Sequence, residues 1–577
     1  MTAPAEPFTG NNDTDHRSPR LSLSDWLKLA QAAPARLTVS RLWRKMMEPA
    51  YASPVYGLLL MARPRSIETA PPDPWPGDSE RGAAILRGEF TFGGRRFRNA
   101  SGAWPLAGVA AIDDEAAARL HSFDWLRDLH AVGNDVARKR ARALVDDWME
   151  RCGSWSALAW RPDVTGLRLA NWLAQHDFFC ASAPDDFRRR FFHSISRQTR
   201  HLTRVLPRGA EGSQLIAALK GLIYVEACLP LDTPRLDRVR RLLTDALEAQ
   251  VFPDGGHVER SPSQHLNVLR HLIDMRATLV AARETVPEEL QSAIDRMSPM
   301  LRFYCHGDGG LALFNDSVEE AAWIIDLVLQ RAEARGKPFA SAPHTGFQRL
   351  AFNRTRVLAD TGAPPPAGAD HYAHAGTLSF EFSVGRERIV VNCGAGPRTP
   401  GWRQAARRTA AHSTLSVCDA DSSDILPTGA FSRRSRITHL TRNDSEDGAW
   451  LEAQQDGFRR NFDLMHTRRL WLDATGWDFR GEDRLEGPDG APFVVRFHLH
   501  PRVRVSLSEG GHVVLLRPPS GAGWRFRAKG ADIRIEESVY LGQADRQQRA
   551  EQIVLAGTTR PGGAVIKWAL QRVTDKN

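Results

Sequence analysis

Between about residue 120 and residue 335, apolar side chains return every three or four positions. In SFDWLRDLHAVGNDVARKRARALVDDWME, Phe123, Leu126, Leu129, Val132, Val136 and Leu144 fall near one face of a helix. The same spacing runs through TGLRLANWLAQHDFF, GSQLIAALKGLIYVEACL, SQHLNVLRHLIDMRATLVAA and SVEEAAWIIDLVLQRAEARG, with Gly or Pro separating most of these runs. Stacked helical hairpins, as a solenoid or a closed ring, satisfy that pattern, and no fixed period supports a named repeat. After about residue 370 the period drops to two. In TLSFEFSVGRERIVVNCG, Leu378, Phe380, Phe382 and Val384 alternate, Gly385 turns the chain, and Ile389 and Val391 resume, which predicts a hairpin. Many short alternating runs with polar turns follow, predicting an antiparallel sandwich of sheets. Upstream, residues from about 15 to 65 read as basic and helical, ETAPPDPWPGDSERG as a Pro-rich connection and GEFTFGGRRFRNA as a small hairpin. Phe314 to Ser317, FNDS, reads as ending in an N-cap before a helix.

At 577 residues the chain exceeds a single core, so two or more domains are expected. With 42% hydrophobic and 25% charged residues it has the composition of a soluble globular protein. No apolar run approaches the ~20 residues that span a bilayer, so no transmembrane segment is expected. The polar start, MTAPAEPFTGNNDTDHRSPR, lacks the features of a secretory signal, which taken alone argues for the cytoplasm. The six cysteines form no C-x-x-C pair and read as small buried hydrophobes. Lys and Arg number 77 against 68 Asp and Glu, a net charge of +9, which suggests an anionic partner. The excess fits nucleic acid, anionic lipid or an acidic polymer, or a generally Arg-rich composition with no partner at all; no dense basic arm or nucleic-acid motif accompanies it.

Three segments concentrate chemistry. In DGGHVERSPSQH, Asp254-Gly-Gly makes a turn, and Ser261-Pro262 opens a helix with Ser as N-cap and Pro at the first position. His257, Glu259, Arg260 and His265 thus surround a helix N-terminus, which favours anions; a capped helix beside a solvated loop is the plain alternative. In DHYAHAGTLSFEF, His371 and His374 lie just before a strand. In WRQAARRTAAHSTLSVCD, Arg407, Arg408 and His412 precede another. Convergence of the three does not follow from spacing, since they are far apart in sequence.

DGGHVERSPSQHLNVL, AHAGTLSFEF and RRTAAHSTLSV, in that order after a helical half, resemble the heparinase II/III family of polysaccharide lyases. WPGD, FDWLRDL, HGDGGLALFN and RGEDRL resemble the branch common in alphaproteobacteria. The resemblance implies a multidomain chain, α then β: a basic helical segment and Pro-rich linker over residues 1–75, an (α/α) toroid of helical hairpins over 76–345, and an antiparallel β-sandwich over 346–577. It implies β-elimination on a uronic-acid glycan in a cleft between toroid and sandwich, with a base, an acid and a group that neutralises the uronate carboxylate. The match is partial. Glu259, Ser261 and His265 meet the pattern E-x-S-x-x-Y-H, but Gln264 stands where the tyrosine belongs. Gly212, Ser213 and Gln214 stand at Asn-Asn-His. Tyr372, His374, Gly376, Leu378, Ser379 and Phe380 meet H-x-H-A-D-x-L-S-F, and Arg408, Thr409, His412, Ser413 and Thr414 meet R-S-T-x-x-H-N-T.

Carried over, the expected catalytic set is His374, His412, Tyr372, His265 and Glu259, with Tyr372 in place of the lost tyrosine. Arg260, His257, Gln264, Trp402, Arg407 and Arg408 are expected to hold the acidic polysaccharide. No cofactor is required. A structural divalent metal would fall on His374, Asn392 and His412, a poor zinc set because Asn is a weak ligand. The alternative is a catalytically altered or inactive glycan-binding relative in cell-envelope polysaccharide metabolism. The family implies the envelope or periplasm, against the cytoplasm suggested by the N-terminus. Oligomeric state is left open.

Overall fold

The computed structural model describes residues 35–53, 55–56, 66–92, 95–98, 114–230, 236–395, 400–427, 429–543 and 546–573. The expected basic N-terminal helix falls partly outside these; within them a helix spans Ala35–Ala52. Tyr56 beyond it bonds through its hydroxyl to Nδ1 of His201, 2.8 Å away, tying the segment to the helical domain. The small hairpin forms from Glu89–Phe92 and Arg95–Arg98.

Three helices build the inner wall of the toroid: Pro162–Ala174, Gly212–Cys228 and Pro262–Ala281. The helices Asp185–Val205, Leu236–Gln250 and Glu288–Phe303 alternate with them along the chain. The inner helices run parallel and pack closely because glycines face each other. A Cβ on Gly166 would lie 2.5 Å from the carbonyl oxygen of Ala217, and one on Gly221 would lie 2.4 Å from that of Gly166, closer than any side chain tolerates. Trp148, Trp172, Phe123 and Phe191 fill the space behind, with Trp148 and Trp172 meeting edge to face at 5.3 Å. The tryptophans at helical spacing are therefore packing residues.

The β half is a two-sheet antiparallel sandwich. One sheet runs through Thr355–Asp360, Phe380–Val384, Glu387–Val391, Pro492–Leu499 and Arg546–Thr558. The other runs through Gly448–Gln455, Met465–Asp473, Asp478–Glu486, Ala564–Arg572 and Trp524–Lys529. Their inner faces meet at Phe380 stacked on Trp568 at 5.4 Å and Phe382 stacked on Phe479 at 5.2 Å. The alternation seen in the sequence is this division between inner and outer face.

Buried ion pairs join the halves. Arg260 reaches from the toroid to Asp360. Arg388, on a sandwich strand, binds Asp308 at 2.7 Å and the carbonyl of Leu311 at 2.7 Å. His306 donates to Glu381, whose other carboxylate oxygen accepts the amides of Leu313 and Asn392.

Candidate functional site

Because the inner helices are parallel, their N-termini open on one rim, near Arg161, Gly212 and Ser261. The rim is stitched to the sandwich by Phe314–Ser317. Asn315 donates from Nδ2 to the carbonyl of Arg260 at 2.9 Å, and its Oδ1 accepts the amide of His374 at 3.0 Å. Ser317 lies 3.1 Å from the hydroxyl of Ser261 and accepts the amide of Ser263 at 3.1 Å. The segment is not a helix N-cap, as its sequence suggested; Asn315 and Asp316 take left-handed backbone (φ 48° and 58°) and form a bridge. Through it the helix entrance at Ser261 and the strand entrance at His374 become neighbours.

On the sandwich side, His374 Nδ1 lies 3.1 Å from His412 Nε2, and His412 Nδ1 lies 2.8 Å from the carbonyl of Arg408. A carbonyl only accepts, so His412 carries its proton on Nδ1, His374 donates from Nδ1, and His374 Nε2 is a bare lone pair. That nitrogen is buried without a hydrogen-bond partner among the described residues, 3.9 Å from Asp316 Oδ1. Burial keeps both rings neutral, His412 falling to about 4 and His374 well below its ordinary value, the latter also opposed by His412, Arg407 and Arg403. Gly376 makes room for the pair: a Cβ there would sit 2.6 Å from the His412 ring.

On the toroid side, Glu259 Oε1 accepts the amide of Ser213 at 2.9 Å and its hydroxyl at 3.1 Å. It thus caps the helix that begins at Gly212. Glu259 Oε2 is buried without a hydrogen bond among the described residues, 3.7 Å from His257 Nδ1, and burial raises the carboxyl to about 7. Gly212 has φ +53°, and a Cβ there would meet Glu259 Oε1 at 2.1 Å. A carboxylate therefore fills the space beside the position where the resemblance places an asparagine. Tyr372 is buried facing this rim: burial raises its phenol, as do Glu259, Asp163 and Asp316, while Arg161 opposes them.

Other expected site residues are engaged elsewhere. Arg260 spends its guanidinium on Asp360 and on the carbonyls of Thr345, Gly346 and Ala363, stacked over Phe347, and offers nothing to a ligand. His257 backs Glu259, its Nδ1 3.7 Å from Oε2 and accepting the Glu259 amide at 3.4 Å, but its Nε2 is held by Gln250 and burial drives the ring down to about 3. His265 donates to the carbonyl of Met297 at 2.8 Å inside the toroid, 5.5 Å from the Tyr304 ring. Arg407 is buried on the carbonyls of Ala373 and Asp370. Arg408 is exposed and pairs with Asp421 at 3.3 Å. Gln264 and Trp402 are half-buried. The cation the sequence did not single out is Arg403. It is half-buried, donates to His371 Nε2 at 3.0 Å, and makes no ion pair within contact distance among the described residues, Asp316 acting on it from farther off.

The metal set does not fit. The facing nitrogens of His374 and His412 bind each other, and Asn392 turns its oxygen to the Ser413 amide at 3.0 Å, leaving only the Nδ2 donor unpaired. Among the described residues no helix is long and apolar enough to cross a membrane.

The sequence profile described as Heparinase II/III N-terminus matches residues 96–334, and that described as Heparinase II/III-like, C-terminal, matches 334–569. The chain is 34% identical over 574 residues to "FtsZ-localized protein C" of Caulobacter vibrioides, covering 94% of this chain and 98% of that protein. A crystal structure of heparinase III superposes with TM-score 0.71 at 12% identity, covering 95% of this chain and 94% of the other. A mutant of the heparan sulfate lyase HepC from Pedobacter heparinus superposes with TM-score 0.61 at 16% identity, covering 96% and 91%. With toroid and sandwich joined in the heparinase III arrangement and both halves matched, the chain belongs to the heparinase II/III family.

Proposed function

We propose that the rim cleft binds an acidic, uronate-type glycan, and that its elimination chemistry is altered from that of the lyases it resembles. The observation that carries this reading is the contact of Gly212 with Glu259. A uronate carboxylate entering there meets a carboxyl group instead of a neutralising amide. Arg403, with no carboxylate in ion-pair contact, supplies the positive charge that draws the polymer in, helped by three helix N-termini on the rim. The identity with FtsZ-localized protein C supports a role beside FtsZ, with the cytoplasm as the compartment.

Turnover is a second reading, favoured by the bare Nε2 of His374. In that case His374 takes the proton from C5, the C4–C5 double bond forms as the C4–O4 bond breaks, and the Tyr372 phenol protonates O4. Glu259, protonated below about 7, donates to the substrate carboxylate in place of the amide. His374 is neutral in the same range, so the reaction runs on the acid side of neutrality. The experiment is calorimetric titration of uronate polymers and a neutral glycan, with ultraviolet absorbance followed for the unsaturated uronate. Preferential, salt-sensitive binding of the acidic polymers is expected. Equal binding of both, or of neither, overturns the reading; product appearance selects turnover over binding alone.

A further inference from the structure

The inner helix Pro262–Ala281 carries a second cluster that the rim chemistry does not use. Ser263, Gln264, Asn267, Arg270 and His271 recur at three- and four-residue spacing and are all half-buried, in a helix otherwise largely buried. They form a stripe leading from the rim along the inner wall of the toroid. Arg270 lies nine positions from Ser261, about 13 Å along the axis.

Most of the carboxylates around Arg270 are already engaged, Asp124 with Arg119 at 3.6 Å among them. Asp274 accepts Lys220 Nζ at 2.6 Å and the Trp75 indole N–H at 2.7 Å. Asp73 accepts Arg127 at 3.1 Å and Gln175 at 2.7 Å. Arg270 itself makes no hydrogen bond or ion pair among the described residues. Its guanidinium rests over the Trp75 ring, 4.7 Å from the centroid. Beside it, His271 has a buried Nδ1 with no partner, and burial together with Lys220, Arg270 and Arg127 keeps the ring neutral. Asp274, Glu320 and Asp124 act on Arg270 from beyond ion-pair distance, and a half-buried cation with no carboxylate in contact is undercompensated unless something else supplies one. The stacking on Trp75 fixes the plane of the fork while leaving its N–H edges open.

We propose that Arg270, seated on Trp75 and flanked by His271, is a second anion subsite for an oxyanion. The group is a carboxylate or a sulfate-type ester borne by the chain that lies in the cleft. The fork donates two parallel N–H bonds to one oxyanion, and neutral His271 is able to add a third from Nδ1. This subsite rests on the proposed glycan reading for its biological ligand, but not for its chemistry, which is testable with small anions.

The test is saturable thermal stabilisation and calorimetric binding of inorganic sulfate, and separately of malonate, at constant ionic strength set with chloride. The proteins are wild type, Arg270→Gln, Arg270→Lys and Arg403→Gln. Because Arg270 makes no hydrogen bond or ion pair among the described residues and only rests on the Trp75 ring, Arg270→Gln is expected to fold as wild type without sulfate. Sulfate affinity should fall at least tenfold in Arg270→Gln, fall less in Arg270→Lys, and persist in Arg403→Gln. Undiminished sulfate and malonate binding in Arg270→Gln overturns the subsite. Sulfate preferred over malonate points to an ester ligand, and the reverse to a uronate. Loss of sulfate binding in Arg270→Gln, with no binding of any uronate polymer by wild type, upholds the subsite and refutes the glycan reading instead.

Discussion

Replacing Glu259 by Gln tests how the rim is built. The wild-type carboxyl is pushed from 4.5 to about 7, first by burial, with the Ser213 amide and hydroxyl opposing. A carboxyl whose value is raised on folding gives the folded state its full benefit below 4.5, and that benefit is lost as pH climbs through 7. At about 1.4 kcal/mol for each tenfold change, the rise corresponds to about 3 kcal/mol, of which roughly 2 kcal/mol falls between about pH 5 and pH 8. Glutamine keeps an oxygen for Ser213 and puts an uncharged amide where Oε2 lacks a hydrogen bond. Urea denaturation of both proteins at the two pH values isolates the effect, because every other titrating group is shared. Glu259→Gln should gain roughly 2 kcal/mol on wild type as pH rises from about 5 to about 8. Parallel pH dependences would show that the Glu259 carboxylate is ionised and solvated in the folded protein, and would refute the burial of Glu259 as a neutral carboxyl on this rim.

Three further outcomes follow from the same contacts. Gly212→Ala, left-handed and pressed onto Glu259, should cost about 2 kcal/mol or more in thermal or chemical unfolding. Combined with Glu259→Ala, its cost should be less than the sum of the two single changes. Arg260→Leu strands the Asp360 carboxylate between the halves and should destabilise by about 3–5 kcal/mol, with no specific effect on ligand affinity per folded molecule. In nitrogen-15 histidine spectra, His374 should remain neutral at about pH 6 with its proton on Nδ1, because burial holds it below the ordinary value; a protonated ring or an Nε2–H tautomer would contradict the assigned His374–His412 chain.

The change from a three-to-four period to a period of two was readable because each half buries one face of its elements, and burial writes itself into spacing. The site was readable only in part. Tyr372, His374 and Glu259 were visible as chemistry at element entrances, but whether a charged side chain there faces a ligand or a second domain is decided by residues far away in sequence. Arg260 and His265 sit at the same kind of helix start as an anion site, yet Asp360, 100 positions on, and the Met297 carbonyl, 32 positions on, claim them. Asn315 and Asp316 were misread because Asn and Asp favour both N-caps and left-handed turns, and local sequence does not separate the two. Arg403 was passed over for Arg407 and Arg408, since helical position alone does not say which of three arginines is buried on carbonyls.

The most direct test is the affinity of a uronate oligosaccharide for wild type, Arg403→Gln and Tyr372→Phe, measured by calorimetry beside a neutral oligosaccharide of equal length. A cleft bordered by the toroid rim and the His374 strand predicts that wild type prefers the acidic chain. It also predicts that Arg403→Gln lowers that affinity about tenfold while the neutral sugar is unaffected. Equal affinity of wild type and Arg403→Gln for the uronate, or no preference for it over the neutral sugar, would contradict an acidic-glycan cleft at this rim.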